Sequence, residues 1–494
     1  MPIHMTENAL PIIIRQAPEM HLKSWRTRRK FRNALRRNLR AALADIPHSL
    51  RVNQGRLLLR TPEPEAAAEV LPRIFGISSF SPVEAVVQGE VEAICRVARE
   101  RFTEVVQGRT YAVRCVRQGE ARFSTQDIER RVGAALDGPG QVNLDHPEVV
   151  VGVELQPDGA HLHARRIPGA GGLPVGVQGR ALALLSGGFD SAVAAWYAMR
   201  RGAAVDFVFC NVGGAAHEHL VVQVARLLSE RWAAGTRPRL FVVDFREPVE
   251  DLKSRLPAEL WQVLIKRLMY RAACGIAHRI QAQALVTGEA LSQVSSQTLS
   301  NLNSIDVASD LPVLRPLIGF DKQEIMDRAR EIGTFALSEG VPEFCALTHA
   351  RPAVSTRRDR IDHHESRLDG ALLRRAVEAA RERDLLALSD EELVDPGIFT
   401  DTLPAGARIL DCRPRSQYRE WHLPGAENHP ADELAEGFGR LPKEDPYLLY
   451  CSRGTQAAVL AERLQAAGYR AQAFRGDLAR LKRTWTHSGA DTPA

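Results

Sequence analysis

The 494-residue sequence contains no apolar run as long as the ~18 residues that a membrane-spanning helix needs. Its N-terminal residues also lack the continuous apolar stretch and cleavage site of a secretory signal. We therefore expect a cytoplasmic protein that does not contact a membrane. Because apolar residues make up 45% of the chain, it can build large cores, and its length predicts three or four domains.

Cysteine is scarce and irregularly spaced. The seven cysteines form neither a CxxC pair nor a zinc-ligand spacing, and they stand at Cys95, Cys115, Cys210, Cys274, Cys345, Cys412 and Cys451. This pattern argues against a disulfide framework and against a tightly bound metal. Any disulfide in this chain is expected to be catalytic.

A glycine-rich segment at 186–191, SGGFDS, lies between a predicted buried strand at 181–185 and a predicted helix that begins at 192. The glycines allow the backbone to approach an anion, the helix N-terminus supplies N–H groups, and Ser186 and Ser191 add hydroxyl donors. No Gly-Lys-Ser/Thr follows, so the loop is not the Walker A loop of kinases and motor ATPases. The segment therefore predicts a pyrophosphate cradle for ATP.

This loop resembles the PP-loop, Ser-Gly-Gly-x-Asp-Ser, whose proteins cleave ATP between its α- and β-phosphates. The resemblance implies that an oxygen of the substrate is activated as an adenylate and that a nucleophile then displaces AMP. An ordinary glycine-rich turn between strand and helix would explain Gly187 and Gly188, but it would not explain the flanking serines together with Asp190.

Apolar, strand-like segments alternate with longer helical patterns in the middle of the chain, at 181–185, 205–209, 240–245 and 284–287. The alternation predicts a doubly wound parallel sheet, in which ligands bind at the carboxyl ends of the strands. A polar run at 288–301 follows the last of these strands, where it is placed either to contact a nucleotide or to form a solvated loop.

Three further residues in this region have two interpretations each. Lys266 and Lys322 are either cations that neutralise charge on the triphosphate or ordinary surface lysines. Cys345 is either a nucleophile or a small buried apolar residue.

Residues 1–60 hold 13 Lys and Arg against 3 Asp and Glu, a surplus of +10 compared with +5 for the whole chain. A helical pattern at 24–43 carries many of these cations, and such a face suits a phosphate backbone. A solvated arginine-rich helix is the alternative.

The segments at 111–117, 125–136 and 142–149 resemble a THUMP domain, with the 125–136 segment as a helix. The resemblance implies that this domain binds the acceptor end of tRNA together with a small ferredoxin-like domain that precedes it. By charge, the expected RNA contacts are Arg26, Arg29, Lys30, Arg37, Arg114 and Arg117.

In the C-terminal part, a predicted strand at 448–450 ends at Cys451, and a helix is predicted at 457–467. The N–H groups and dipole of such a loop favour the thiolate or persulfide form of a cysteine, which makes Cys451 the expected nucleophile. Cys412, within a strand, is expected in the core, and Cys95, Cys115, Cys210 and Cys274 are expected to be structural.

Segments at 409–413, 421–428 and 474–477 resemble rhodanese domains, with their Asp-x-Arg and His-x-Pro-Gly-Ala elements. The loop departs from the common Cys-x-x-Gly-x-Arg because Gln456 stands last. From the loop alone, both sulfur transfer and a phosphatase-like activity are open.

Together these features predict a multidomain chain of α/β and α+β domains with an α/β rhodanese domain at the C-terminus. The predicted parts are a ferredoxin-like domain at 1–60, a THUMP domain at 61–165, a linker at 166–176, a PP-loop ATP pyrophosphatase domain at 177–385, a linker at 386–403 and a rhodanese domain at 404–490. The first linker is assigned because it holds two prolines and four glycines.

The order of these domains resembles the ThiI family of tRNA 4-thiouridine synthetases, in its long form. The resemblance implies that the uridine at position 8 of tRNA is adenylated at O4 with ATP and Mg²⁺, and that sulfur from a Cys451 persulfide, supplied by a cysteine desulfurase, replaces the oxygen. It also implies a disulfide between Cys345 and Cys451, which a thiol reductant then reduces. In addition, it implies that Asp190 positions pyrophosphate or magnesium and that Lys322 stabilises the transition state.

The nucleotide contacts that the resemblance implies are Leu184, Leu185, Ser186, Gly187, Gly188, Asp190, Ser191, Lys266, Gly288 and Gln297. Sulfur transfer to a carrier protein for thiamine thiazole synthesis is a second expected role, and it would be the only role if tRNA is not the acceptor. The sequence also leaves open a tRNA-binding protein with a degenerate PP-loop and a thiosulfate sulfurtransferase fused to a ligase.

Overall fold

The computed structural model describes residues 9–53, 56–88, 90–117, 124–156, 159–339, 341, 352–389, 397–404, 406–452 and 454–487. The chain forms two compact units: one holds residues 1–178 with 200–202 and 234–236, and the other holds 179–199, 203–233 and 237–494. The described residues form four sheets, two in each unit. Across these same residues, no helix is long and apolar enough to cross a membrane.

The first sheet of the N-terminal unit is antiparallel. It contains β1 (Ile12–Gln16), β2 (Ser49–Asn53), β3 (Arg56–Arg60), β4 (Ile77–Pro82) and β10 (Ile167–Pro168), and it is accompanied by α1 (Trp25–Ala42) and α2 (Pro64–Val70). The strand order is β10-β4-β1-β3-β2. The predicted division at 60/61 therefore falls between strands of one sheet, and the segment predicted as a linker at 166–176 begins with an edge strand.

Helix α1 confirms the helical pattern predicted at 24–43. Ser24 caps it by accepting a hydrogen bond from the Thr27 N–H, which satisfies one of the unpaired donors of the first turn. Phe31, Leu35 and Leu39 are buried against the sheet, so the arginines lie on the remaining faces of the helix.

The second sheet of the N-terminal unit contains β5 (Ala85–Val87), β6 (Thr110–Arg117), β7 (Gln141–Val142), β8 (Val149–Gln156) and β9 (Gly159–His163), with α3 (Val91–Val106) and α4 (Thr125–Leu136). Its order is β5-β9-β8-β6-β7. The helix predicted at 125–136 is confirmed. Arg15 of β1 joins the two sheets, since it donates to Glu154 Oε1 at 2.6 Å and lies 3.0 Å from His163 Nε2.

The larger sheet of the C-terminal unit contains β11 (Arg180–Leu184), β12 (Ala204–Asn211), β13 (Arg239–Asp244), β14 (Leu285–Val286), β15 (Val313–Leu314) and β16 (Arg381–Asp384). Its helices are α5 (Phe189–Arg200), α6 (Gly214–Trp232), α7 (Arg246–Arg255), α8 (Trp261–Arg279), α9 (Leu299–Asp306), α10 (Lys322–Ile332), α11 (Phe335–Glu339), α12 (Arg358–Glu365) and α13 (Gly370–Glu378). The order is β15-β14-β11-β12-β13-β16.

This sheet confirms the prediction of a doubly wound parallel sheet. The central strands are apolar because helices cover both faces, so few positions along them meet water. The exception is β16, which pairs antiparallel with β13 at the edge. Its sequence, RERD, has no apolar residue, so the pattern gave no strand signal there.

The last sheet is parallel and contains β17 (Phe399–Thr400), β18 (Arg408–Asp411), β19 (Glu427–Asn428), β20 (Pro446–Tyr450) and β21 (Arg470–Phe474). Its helices are α14 (Arg415–Glu420), α15 (Ala431–Gly437), α16 (Thr455–Ala466) and α17 (Leu478–His487). The order is β17-β21-β20-β18-β19. The strand predicted at 448–450 and the helix predicted at 457–467 are confirmed within a few residues.

Candidate functional site

The larger sheet of the C-terminal unit has one position where the chain reverses its direction of winding. From β11 the chain proceeds to β12 and β13 on one side, and it then returns to β14 and β15 on the other side of β11. Ligands of open α/β sheets bind at such a switch point, outside the carboxyl ends of the strands. The 186–191 loop follows β11 and the polar run at 288–301 follows β14, so both candidate nucleotide-binding segments meet there.

These two segments touch through their backbones at Gly288. A Cβ atom at this position would lie 2.4 Å from the Asp190 carbonyl carbon and 2.5 Å from the Ser191 nitrogen. Any side chain on residue 288 would therefore push the two loops apart, which explains why glycine follows β14.

Serine side chains close the 186–191 loop from within. The Ser186 N–H donates to Ser191 Oγ at 3.2 Å, and the Ser191 hydroxyl donates to the Gly188 carbonyl at 3.1 Å. Gly187 has φ +85°, a left-handed conformation that favours glycine. Helix α5 begins at Phe189 and not at the predicted position 192, so Asp190 and Ser191 lie in its first turn. The unpaired N–H groups of that turn therefore belong to the loop itself.

Asp190 is held from two sides. Lys322 Nζ donates to its Oδ1 at 2.8 Å, and Gln293 Nε2 donates to its Oδ2 at 2.9 Å. Lys322 is the first residue of α10, which Asp321 and Glu324 fix with reciprocal capping hydrogen bonds. The structure thus brings together Asp190 and Lys322, two of the predicted catalytic residues, although 132 positions separate them.

Behind the crevice lies a buried carboxylate, Glu289, which is 2% exposed. Its Oε2 accepts hydrogen bonds from Tyr270, at 2.6 Å, and from Arg315, at 2.8 Å, and Lys266 Nζ lies 3.8 Å from its Oε1. Burial would raise the pKa of Glu289, but the positive charges of Lys266 and Arg315 outweigh burial and hold this pKa below its usual value. Lys266, predicted to contact ATP, therefore lies within ion-pair distance of a carboxylate that was not among the predicted site residues.

Gln297 lies in a short 3-10 turn at Ser295–Gln297 and is 7% exposed. Its Oε1 is buried and accepts no hydrogen bond from any described residue. Ser292 adopts φ +62°, uncommon for a residue with a side chain, and its N–H donates to the Gln297 carbonyl at 2.9 Å. A buried acceptor without a donor fits a ligand that brings an N–H or O–H group.

His217 on α6 also faces this loop, and sequence reasoning missed it. Its Nε2 lies 3.3 Å from the Ser186 carbonyl, and its ring meets Phe209 edge-on at 4.6 Å. Burial lowers the pKa of His217 to about 3, so the ring is neutral at physiological pH. Its position on the neighbouring helix, 31 residues from Ser186, left no motif to find.

Cys451 follows β20 and is 3% exposed, in a core with Leu410 and Leu449. Gly454 precedes α16 with φ +76°, and a Cβ there would lie 2.5 Å from the Gly476 carbonyl oxygen. A buried ion pair between Asp411 and Arg413, 2.6 Å apart, supports the adjacent strand end. The Asp-x-Arg element lies beside the Cys451 loop, because Asp411 pairs with Tyr450 in the parallel ladder.

Within the C-terminal unit, the Cys451 domain packs against the 186–191 side through α6 and α16. Glu462 on α16 accepts a hydrogen bond at 3.0 Å from the Ala215 N–H, in the first turn of α6. Ala216 and Leu220 of α6 share one apolar core with Cys451, and Val341 packs against it. A Cβ on Gly187 would lie 3.1 Å from Val341, so Val341 lies next to the 186–191 loop and also packs against the core that contains Cys451. Cys345 lies outside the described residues.

The N-terminal unit carries a separate basic groove of about 720 Å³. Its lining combines the exposed Trp25 with six arginines, Arg15, Arg28, Arg29, Arg32, Arg56 and Arg166. Of the predicted RNA contacts, Arg29 lies in the groove, Arg26, Arg37, Arg114 and Arg117 are exposed, and Lys30 is exposed with Nζ 3.3 Å from the Val177 carbonyl. Sequence reasoning did not single out Trp25, Arg28 and Arg32, although they lie on the predicted helix. It missed Arg15, Arg56 and Arg166 because the groove draws them from other segments of the chain.

Comparisons with known families account for most of the chain. A model described as Thiamine biosynthesis protein (ThiI) matches residues 176–369. Models of the ThiI ferredoxin-like domain, the THUMP domain and the Rhodanese-like domain match residues 11–81, 90–163 and 396–482.

Curated relatives align with this chain over nearly their whole length. A tRNA sulfurtransferase of Pyrobaculum aerophilum is 34% identical over 470 residues, covering 94% of this chain and 97% of the relative. A tRNA sulfurtransferase of Pectobacterium carotovorum is 37% identical over 480 residues, covering 94% of this chain and 98% of the relative.

Two solved structures extend the likeness to the fold. A 4-thiouridine synthetase in complex with RNA and bound ATP is 31% identical, with a TM-score of 0.67, covering 76% of this chain and 99% of that one. A protein from Pyrococcus horikoshii, 24% identical with a TM-score of 0.52, shares the fold over 66% of this chain and 100% of its own.

Proposed function

Because the chain belongs to the ThiI family of tRNA sulfurtransferases, we propose that it uses ATP to replace O4 of a tRNA uridine by sulfur, giving 4-thiouridine at position 8. The observation that carries the proposal is the meeting of the 186–191 loop, Gly288 and Lys322 at one switch point of the sheet, with Cys451 packed on the adjoining helix. An activating loop and a sulfur-carrying thiol in one unit suit this two-step reaction.

The first step is adenylation. The uridine O4 attacks the α-phosphorus of ATP, and pyrophosphate leaves. The backbone of Ser186, Gly187, Gly188 and Ser191 is suited to hold the leaving pyrophosphate, because a glycine-rich loop before a helix offers several N–H groups. Lys322, fixed by Asp190, supplies a positive charge where negative charge develops.

The nucleoside end of ATP lies, in this proposal, along the strand ends and the polar segment after β14. Leu184 and Leu185 border it at the end of β11, and Gly288 allows the close approach of the two loops. The buried Gln297 Oε1 is suited to accept a hydrogen bond from the nucleotide, and Lys266, 3.8 Å from Glu289, adds a positive charge.

ATP is used as its magnesium complex in this proposal. Magnesium in nucleotide sites is held by one or two carboxylates together with the phosphates, and Asp190 is a carboxylate at the loop. Among the described residues no group of three or more His, Cys, Asp or Glu side chains is placed to hold a metal ion.

The second step is sulfur transfer. A cysteine desulfurase first places a sulfur atom on Cys451 as a persulfide. That terminal sulfur, or hydrosulfide released from it, attacks C4 of the activated uridine, and AMP leaves with the former O4. The Cys345 thiolate attacks the Cys451 sulfur, so that the bond from this sulfur to the transferred sulfur breaks as the Cys345–Cys451 disulfide forms. An external thiol reductant then restores the two thiols.

The tRNA partner is proposed to lie on the N-terminal unit. Arginines in the groove and on α1 neutralise phosphates, while the exposed Trp25 offers a face on which an unpaired base can stack. Arg26, Arg29, Lys30, Arg37, Arg114 and Arg117 remain the charge-based candidates.

The test is nucleoside mass spectrometry of unmodified tRNA incubated with the protein, ATP-Mg²⁺, desulfurase, cysteine and reductant. We expect 4-thiouridine that depends on ATP and on Cys451. Persulfide formation on Cys451 without any 4-thiouridine would contradict tRNA as the acceptor.

A second role is sulfur delivery for thiamine thiazole synthesis, through an adenylated C-terminus of a sulfur carrier protein. The description of the matching family model favours it, and the Cys451 loop lies on a sheet of its own. Transfer from loaded Cys451 to an adenylated carrier protein tests this role; a protein that thiolates tRNA but leaves the carrier unmodified would contradict it.

A further inference from the structure

Cys412 and Cys451 stand side by side on neighbouring parallel strands. β18 and β20 are in register at Asp411 and Tyr450, and the two cysteines are the next residues of each strand. The Cys412 N–H donates to the Tyr450 carbonyl at 2.8 Å, so the ladder continues to this point.

Both cysteine side chains point to the same face of the sheet. They share one apolar core with Leu410 and Leu449, two positions earlier on each strand, and Cys412 is 1% exposed. Neighbouring strands lie about 4.7–4.9 Å apart, and a disulfide needs Cα atoms roughly 4.4–6.8 Å apart. The backbone therefore places this pair within reach of a disulfide.

The remaining described cysteines of this unit are elsewhere. Cys210 and Cys274 belong to a different core, on the larger sheet and its helices. Cys412 is thus the neighbouring thiol of Cys451 among the described residues, and the expectation that it serves only as core leaves this adjacency unexplained.

We propose that Cys412 is a resolving thiol for the Cys451 persulfide, and this inference rests on the proposed function. The Cys412 sulfur attacks the inner sulfur, which belongs to Cys451, and forms a Cys412–Cys451 disulfide. The bond between the two persulfide sulfurs breaks, and the outer sulfur leaves as hydrosulfide, which takes the proton that Cys412 loses. No oxidant is consumed, and an external dithiol reduces the disulfide afterwards.

The surroundings of Cys412 make this reaction slow until the site is disturbed. Burial raises the pKa of Cys412 well above its usual value, and the nearby Cys451 and Asp411 add to this effect. Because the thiolate is the attacking form, the persulfide survives long enough to be delivered to tRNA. When no acceptor arrives, Cys412 discharges the sulfur and leaves Cys451 in a reducible form.

The experiment uses the full chain carrying Cys345→Ala, which removes the other proposed partner of Cys451. Cysteine desulfurase and cysteine load the protein, both are removed, and no tRNA is added. Intact-protein mass spectrometry follows the loss of the added sulfur, a sulfide trap measures its release, and peptide mapping locates the disulfide. Cys412→Ala and Cys412→Val are compared on this background, with Cys274→Ala as the control for loss of a buried thiol.

We expect the parent to release its sulfur as sulfide and to gain a Cys412–Cys451 disulfide. Both Cys412 variants should keep the persulfide at least ~10-fold longer, and Cys274→Ala should match the parent. Equal decay in the Cys412 variants, or a disulfide that maps elsewhere, overturns the inference. Two replacements are used because valine fills the core position if alanine destabilises the domain, and thermal unfolding identifies a variant that does not fold.

A separate measurement requires no persulfide. The Cys345→Ala protein is equilibrated with mixtures of reduced and oxidised glutathione, and the Cys412–Cys451 disulfide is expected as the glutathione becomes more oxidised. Absence of that link overturns the inference even where sulfur loading is normal. Failure of sulfur loading while the link forms instead overturns Cys451 as the sulfur carrier, so the two failures are distinguishable.

Discussion

The 186–191 loop and the Cys451 loop are built in the same way and surrounded differently. Each follows a parallel strand, contains a glycine in the left-handed region, Gly187 at φ +85° and Gly454 at φ +76°, and leads into a helix. Each therefore presents N–H groups and the positive end of a helix dipole to whatever lies in the loop. The backbone alone does not separate phosphate chemistry from sulfur chemistry.

The side chains around the two loops distinguish the phosphate site from the sulfur site. Asp190 in the first loop is bound by Lys322 and Gln293, in a setting of charge and hydrogen bonds. Cys451 in the second loop is buried in an apolar core that also contains Leu410, Leu449 and residues of α6. A polar crevice suits a charged nucleotide, whereas an apolar shell excludes water from the persulfide sulfur that Cys451 carries in this proposal. One turn geometry thus supports two chemistries.

The largest expected effect comes from removing the sulfur carrier. Cys451→Ser should lower 4-thiouridine formation from cysteine and desulfurase by at least ~10³-fold, because the oxygen cannot carry the transferable sulfur. ATP binding should be unchanged, since the nucleotide crevice is a different loop. Nucleoside mass spectrometry measures the loss of 4-thiouridine formation, and calorimetry measures whether ATP affinity is unchanged.

Cys274→Ala is the matched control, because it removes a buried thiol from α8 without touching either loop. A Cys451→Ser protein that thiolates tRNA at the normal rate, with desulfurase as sole sulfur source, would show that the two loops are not divided as proposed.

Gly288→Ala is the converse change, because it alters the nucleotide crevice and leaves the Cys451 loop intact. The added methyl group would lie 2.4–2.6 Å from backbone atoms of Asp190 and Ser191, where no flexible side chain can yield. We expect ATP affinity to fall by ~10-fold or more, equivalent to about 1.4 kcal/mol, while sulfur loading of Cys451 is retained. Equilibrium ATP titration and persulfide mass analysis measure the two properties.

Gly319→Ala is the control for Gly288→Ala, because a Cβ at 319 would meet no atom within 4 Å. Unchanged ATP affinity in Gly288→Ala would mean that the approach of the two loops does not form the nucleotide site.

Lys322→Gln is expected to act on the chemical step instead of on ATP binding, because it keeps most of the side-chain length but removes the charge next to Asp190. Loss of one stabilising donor typically costs about 10²-fold in kcat, so kcat should fall by ~10²-fold with little change in the KM for ATP. Lys253→Gln, at an exposed lysine on α7, is the control. A fall confined to ATP affinity would instead make Lys322 a ground-state contact.

The two loops also differ from their surroundings in what the sequence could predict. Both loops and the helices α1 and α4 were found, because glycines, capping residues and apolar periodicity are local signals. Edge strand β16 was missed because its four residues are all charged. The extent of the first sheet was also missed, since β4 and β10 join it across long stretches of chain.

The partners of the site residues were less predictable. His217 reaches the crevice through helix packing and belongs to no motif. Glu289 lies in the predicted polar run, but its partners Tyr270 and Arg315 come from other elements. Glu462 meets Ala215 across 247 positions, and a charge pattern cannot encode such a pairing. Periodicity predicts which faces are buried, but it does not predict which element lies opposite.

That last contact gives the smallest predicted effect and tests how the two loops cooperate. The Glu462 carboxylate lies at the N-terminus of α6, where a negative charge contributes about 0.3–1 kcal/mol. In Glu462→Gln we expect sulfur transfer from preloaded Cys451 to tRNA to slow by roughly two- to fivefold, because docking of α16 on α6 weakens. Single-turnover thiolation measures it.

ATP affinity and sulfur loading should stay unchanged in Glu462→Gln, since neither loop is altered. Glu420→Gln, at an exposed carboxylate on α14 of the same domain, should transfer sulfur normally. If Glu462→Gln slowed sulfur loading as much as sulfur transfer, the carboxylate would support the Cys451 domain itself. If only transfer were slower, this contact would be the link through which the polar crevice and the apolar sulfur site act on one substrate.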